Sequence, residues 1–315
     1  MQLIQAPRAS TILYNLLKSR GNSMPWLLPA NICPIVPITY FKAGIPIEFV
    51  DISAETLHMD LEQAEGRLER GKYGGILYAH TYGEPSTPDD FFQDIKSRYQ
   101  DLLLVDDRCL CIPDLEPSSD MVADVVMYST GYAKVVELNF GGYAFLNDST
   151  SYRPQHLPFK SQADEEIESN YKQAVQNREL YVYKDSDWLQ TEGDLPAWYD
   201  YRQQIEDGLK KSLQHRDELN SIYASRLSFD IQLSQKYQSW RFNLRMKNKD
   251  RVLKSIFSAG LFASSHYASL AGIMGPGQCP QAENLANEII NLFNDHHFNV
   301  QKAERVCVVI MEDIA

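Results

Sequence analysis

Short apolar runs recur between stretches of helical periodicity, and this alternation restricts the fold more than any other feature of the 315-residue chain. Residues 46–50, 75–79, 102–105, 125–128 and 142–146 read as strands, preceded by the short run Trp26-Leu27-Leu28. Between them, 60–70 and 88–99 carry amphipathic helical patterns. Ser10-Thr11 can cap a helix through Leu13, Leu16 and Leu17. Residues 32–41 read as a helix that Pro37 should disturb. Apolar strands alternating with helices predict an α/β fold whose mostly parallel sheet is covered on both faces.

Ligands of such sheets sit beyond the carboxyl ends of the strands. His80, Asp107, Ser129 and Lys134 all fall just past predicted strand ends. The run Leu102-Leu103-Leu104-Val105 ends in Asp106-Asp107. Side chains alternate along a strand, so only one of the two acids can face a given pocket. A buried strand ending in a carboxylate, then a strand ending in serine, then a loop lysine, is the layout of a pyridoxal-phosphate site. There the lysine amine bonds to the cofactor aldehyde and the carboxylate keeps the pyridine nitrogen protonated.

At these residues the chain resembles the DegT/StrS type of sugar-nucleotide aminotransferase, a fold-type I pyridoxal-phosphate family. Ser129 stands five positions before Lys134, as in the family's Ser-Phe-x-x-x-Lys pattern, and Gly141-Gly142 follow. Asp106-Asp107-Arg108-Cys109-Leu110 is similar to the family's Glu-Asp-Ala-Ala-Gln strand end. Leu28-Pro29-Ala30-Asn31-Ile32-Cys33, the run 43–52 and His80-Thr81-Tyr82-Gly83 resemble three further family segments. The resemblance implies a mostly parallel seven-stranded-type sheet within residues 1–205 and a smaller α+β unit over 206–315. A long helix joins the two. It assigns Lys134 and Asp107 to catalysis and cofactor binding, with Ser129, Thr11 and Ser10 on the cofactor phosphate. Retention of Lys134 points away from the family's dehydratase branch, which carries His there.

The departures are specific. Leu110 replaces the family's Gln, Phe140 replaces the Glu before Gly-Gly, and Ala9-Ser10-Thr11 lacks the glycine of the phosphate loop. An aromatic expected on the cofactor ring has no counterpart near Ile32-Cys33. Nearly all of the family's N-terminal arm, and its Asn-x-Arg stretch reaching a neighbouring subunit, are missing. Three readings therefore stand side by side. The first is an aminotransferase that aminates a nucleotide-linked keto sugar from an amino-acid donor, for polysaccharide or amino-sugar synthesis. The second is a pyridoxal-phosphate enzyme of the same fold acting on another substrate. The third is a degenerate homologue that serves as a partner. Without its neighbours Lys134 would be an ordinary surface lysine, Ser129 a strand-end serine and Ser10 or Thr11 a helix cap.

Composition narrows the surroundings. The net charge is −12 with a pI near 5.1, which argues against a nucleic-acid or anionic-membrane surface. A diphosphate substrate would still need a local basic patch. Five cysteines, odd in number and without a CxxC pair, suit a reducing compartment rather than a disulfide framework or zinc site. His266, His296 and His297 show no acidic or thiol partner at ligand spacing, so no metal is expected. There is neither a signal-like N-terminus nor a membrane-length apolar run, so a cytoplasmic homodimer is expected. Residues 164–227 read as polar and helical, 240–244 as a strand, 250–259 and 282–293 as helices, and Glu312-Asp313 as a frayed end.

Overall fold

The computed structural model describes residues 1–116, 118 and 121–314. The elements of the first half are β1 (Gln2–Ala6), α1 (Ala9–Arg20), β2 (Trp26–Pro29), α2 (Ile35–Ala43), β3 (Ile47–Val50), α3 (Leu61–Leu68), β4 (Gly75–Ala79), α4 (Asp89–Arg98), β5 (Leu103–Asp107), β6 (Val125–Ser129) and β7 (Gly142–Leu146). They build one seven-stranded sheet in the order β1-β7-β6-β5-β4-β2-β3. Strands β2 to β6 pair in parallel, while β7 is reversed and pairs antiparallel with both β6 and the edge strand β1. The expected strands are all present, and the sheet is mostly parallel as the alternation required. The edge strand β1 is an addition, since its residues Gln2 to Ala6 show no clear period of two.

Two hydrophobic layers cover the sheet. Leu28, Leu77, Leu103, Val105, Met127 and Ala144 face the layer made with α1 and α2. Leu27, Ile76, Leu104, Val126, Tyr143 and Phe145 face the opposite layer, made with α3 and α4. The prolines that complicate 32–41 are absorbed at the helix start. Pro34 is the N-cap of α2 and Pro37 lies in its first turn, where a missing N–H leaves no intrahelical bond unmade. Gly44, with φ of 73°, ends that helix.

Beyond the sheet, α5 (Ala163–Asn177) and α6 (Trp198–Arg226) are separated by residues 178–197, which form neither helix nor strand. The polar helical reading of 164–227 overlooked this strap, anchored by fully buried Trp188 and Leu189. The 29-residue α6 packs Tyr201 and Ile205 against the large sheet and Leu219 and Tyr223 against a third core cluster. The expected boundary at 205/206 therefore falls inside one continuous helix. The third cluster is enclosed by β8 (Phe242–Arg245), α7 (Lys249–Ser258), β9 (Ala263–Ser264), β10 (Ile289–Leu292) and α9 (Val300–Ile314), while α8 (Pro280–Glu288) turns Ala282 and Leu285 to the first layer. Its antiparallel sheet has the order β8-β10-β9.

Two expectations in this region are corrected. The helix over 282–293 stops at Glu288, and Ile289-Ile290-Asn291-Leu292 becomes the central strand β10, as its β-branched apolar residues favour. Glu312 and Asp313 are not frayed. They close α9, and the Asp313 carboxylate meets Arg251 at 3.0 Å.

A close backbone approach seats α1 on the sheet. Gly142 opens β7 directly against the start of that helix, and a Cβ there would lie 2.5 Å from the Ala9 nitrogen. A Gly142→Ala variant should push α1 off the sheet and cost about 1–3 kcal/mol in urea denaturation, the usual range for overpacking a tight contact.

Candidate active site

A cavity of about 670 Å³ opens at the carboxyl edge of the parallel strands. Ala79 and His80 after β4, Asp107 of β5, Ser129 of β6 and the Lys134 loop line it together, with Arg8, Ala9 and Ser10 from the start of α1. Four of the five residues singled out in the sequence thus converge on one space. Thr11 does not line it. Its hydroxyl donates to the Gln190 carbonyl at 2.6 Å and ties α1 to the 178–197 strap.

Alternation on β5 decides between the two acids. Leu103 and Val105 belong to the layer of α1 and α2, and Asp107 falls on that side, in the cavity. Asp106 points to the other side. Its carboxylate lies 2.5 Å from His80 Nε2 and 2.7 Å from Arg108 Nε, with Asp106 and His80 buried and Arg108 partly exposed. Burial alone would raise the Asp106 pKa, but His80 and Arg108 outweigh it and hold this carboxyl below its usual range. His80 gives its other ring nitrogen to the Glu84 carbonyl at 2.7 Å. It therefore belongs to a buried polar network beneath the cavity as well as to its wall.

The backbone of the lysine loop is clamped from several directions. The Trp240 indole donates to the Ala133 carbonyl at 2.7 Å, and Arg216 donates to the Lys134 carbonyl at 3.2 Å. The Ala133 N–H donates to Glu137 at 2.9 Å, and Ala133 itself sits at φ of 58°, a left-handed conformation that these bonds hold in place. Leu138 N–H to Thr130 carbonyl, 2.8 Å, closes the loop. The Lys134 amine has no hydrogen-bond or ion-pair partner among the described residues, so a fixed backbone presents an uncommitted amine to the cavity.

The residues fit pyridoxal phosphate on three counts. The Asp107 carboxylate is buried and accepts the Cys109 N–H at 3.0 Å, which orients it into the cavity. The first turn of α1 has no side-chain cap, so its N–H groups and the positive end of the helix dipole point at the same space as the Ser129 hydroxyl. The buried Asn31 lines the wall with its Oδ1 unpartnered, although its amide donates to the Leu57 carbonyl at 3.0 Å.

Sequence reading passed over several lining residues. An aromatic does stand beside Cys33 in the lining, but it is Tyr267, from far along the chain. Its ring lies nearly parallel to Trp240 at 6.1 Å and interacts with the Cys33 thiol. Gln190, Gly193, Asp194 and Leu195 of the strap close one side. No local pattern marks any of these, because their placement depends on long-range packing. Asn31 had a signal, its place in the Leu28–Cys33 segment. The Cys33 and Cys109 thiols in the wall are pushed above their usual range by burial. The lining carries Asp107, Asp164, Glu168 and Asp194 against only Arg8 and Lys134, and Arg8 is already paired with Asp164 at 2.8 Å. Among the described residues, the local basic patch that a diphosphate needs is absent from this wall.

No family model matches the sequence, and no curated protein matches it. Solved structures do. The fold is that of a DegT DnrJ EryC1 StrS aminotransferase from Brucella abortus (TM-score 0.66, 17% identity, 99% of this chain and 86% of that one). It is shared with the sugar aminotransferase Spr1654 of Streptococcus pneumoniae in its PLP form (0.69, 15%, 99% and 88%). It is shared as well with DesI in the presence of its TDP-sugar product (0.72, 15%, 98% and 80%). At these identities the likeness defines a fold-type I α/β architecture, the fold expected from the sequence.

Arg216 also donates to the Trp240 carbonyl and to Asn294 Oδ1, each at 2.5 Å. Arg216→Met should leave these buried acceptors unpaired. The expected loss is about 3 kcal/mol or more in urea denaturation, at roughly 1–3 kcal/mol per orphaned group.

Proposed function

We propose that this protein is a pyridoxal-phosphate-dependent aminotransferase, with a keto sugar as acceptor and an amino acid as donor. The observation that carries the proposal is the convergence of the free Lys134 amine, the buried Asp107 carboxylate and the uncapped start of α1 on one cavity. The shared fold supports it, since Spr1654 is known in PLP and PMP forms and DesI with a TDP-sugar product.

When bound there, the cofactor would supply the electron sink that amino-group transfer requires. Asp107 would pair with the ring nitrogen. Ser129, Ser10 and the N–H groups of α1 would take the phosphate. Thr11, through Gln190, would keep the strap against that corner. Lys134 would hold the cofactor through its amine and, once displaced by substrate, carry a proton at Nζ between the two carbons that exchange hydrogen. Tyr267, which lines the same cavity, would limit the ring from one side. We extend the reading to a large unit ending near residue 205, a small unit after it, and a homodimer. The exposed Tyr132 ring at the cavity rim is surface that a second copy would cover. The free cysteines suit a cytoplasmic setting and the fold suits a polysaccharide or amino-sugar pathway. No described helix is long and apolar enough to cross a membrane.

The acidic lining favours a second reading of the substrate, in which the acceptor carries no diphosphate. Under the first reading the missing positive charge would come from the partner copy. Amino transfer from glutamate should be assayed on a nucleotide-linked keto sugar and on the free keto sugar. Turnover of the first alone supports the nucleotide reading, and turnover of the free sugar at equal kcat/KM supports the second. In either case Lys134→Ala should abolish transfer, and Asp107→Asn should lower kcat by about 100-fold or more, as expected for loss of a charge that is needed in the transition state. Full activity of Lys134→Ala would refute the proposal.

A further inference from the structure

Glu137, three residues beyond Lys134, meets two histidines that follow β10. Glu137 Oε1 lies 3.1 Å from His297 Nε2 and 3.9 Å from His296 Nε2, and the two imidazole centroids are 4.0 Å apart. The three ligand atoms all lie within 4.8 Å of one another. Around a tetrahedral ion with bonds of about 2.0–2.2 Å, neighbouring ligand atoms stand roughly 3.3–3.5 Å apart, so the observed spacings bracket what a shared ion demands.

Two further observations favour a cation over an accidental cluster. The Glu137 side chain is only 5% exposed, and no Lys or Arg pairs with it among the described residues. Arg216 lies within electrostatic range but directs its donors to Ser212, Trp240, Asn294 and Lys134. A buried carboxylate facing imidazoles needs positive charge from somewhere. His297 is also held in place. Asp295 accepts the His297 N–H at 3.1 Å while its own charge is taken by Arg241, and Lys302 donates to the His297 carbonyl at 3.2 Å.

We propose that Glu137, His296 and His297 form a binding site for a divalent transition-metal ion, best matched by zinc, which ties the Lys134 loop to the segment after β10. Two imidazoles and one carboxylate suit zinc or its neighbours in the first transition row, and are poor ligands for magnesium or calcium. The 63% exposure of the His296 side chain leaves a fourth position open to solvent. Glu137 also accepts the Ala133 N–H, so an ion on this carboxylate sits one hydrogen bond from the residue preceding Lys134. The Tyr132 ring, on the cavity rim, lies 5.9 Å from the His297 ring. The site is thus a brace on the lysine loop, set outside the cavity.

The test is calorimetric titration of the full chain, stripped of metal, with zinc chloride and separately with magnesium chloride. The wild type should take up one zinc per chain at this site, raise its Tm on doing so, and show no comparable response to magnesium. His296→Ala and His297→Ala should each weaken that zinc binding at least tenfold and lose the zinc-dependent rise in Tm. Both side chains are partly or largely exposed, so the variants should fold. Absence of zinc uptake by the wild type, or wild-type zinc binding by either variant, would overturn the proposal. In the latter case the cysteines or scattered surface groups hold the ion.

Discussion

The alternation of side chains along β5 governs this molecule's chemistry. Two successive acids end the strand, and the pleat sends them to opposite faces of the sheet. Asp106 enters the buried network of His80 and Arg108, where its charge is neutralised and it stiffens the floor beneath the cavity. Asp107 enters the cavity, where its carboxylate faces no Lys or Arg ion-pair partner among the described residues. A one-residue slip of register would exchange them. The committed acid would then face the cavity, and the free one would be buried against His80.

Across the cavity the complementary problem is to fix a backbone while leaving its side chain free. Trp240, Arg216 and Glu137 bind the peptide groups at Ala133 and Lys134 and leave the amine alone. Those three residues come from the small-sheet region, from α6 and from the loop itself. The lysine loop therefore depends on how the two ends of the molecule pack, and α6 carries that dependence because it contributes to both cores.

Much of this was legible in the sequence for identifiable reasons. Strands buried on both faces are apolar throughout, so β2 to β7 stand out, and the carboxyl ends of β4, β5 and β6 locate His80, Asp107, Ser129 and the Lys134 loop. Asn31 was within a marked segment but had no assigned chemistry until its unpartnered oxygen was seen in the wall. Tyr267, Gln190 and Asp194 were not legible, because each reaches the cavity on chain that is neither helix nor strand and whose path is set by distant anchors such as Trp188. The helix read over 282–293 failed where Ile289 and Ile290 changed partner, from their own helix to β8 across the sheet. The Glu137, His296 and His297 grouping was also hidden, since two of its members follow the third by about 160 residues.

The proposal on which the site turns is that Lys134 holds the cofactor. Its most direct test is to add pyridoxal phosphate to the purified protein, record the visible spectrum, reduce with borohydride and map the labelled peptide. A visible band that reduction removes is expected, with the cofactor mass fixed on the peptide containing Lys134. A folded protein that gives no band, or label confined to another lysine, would contradict it.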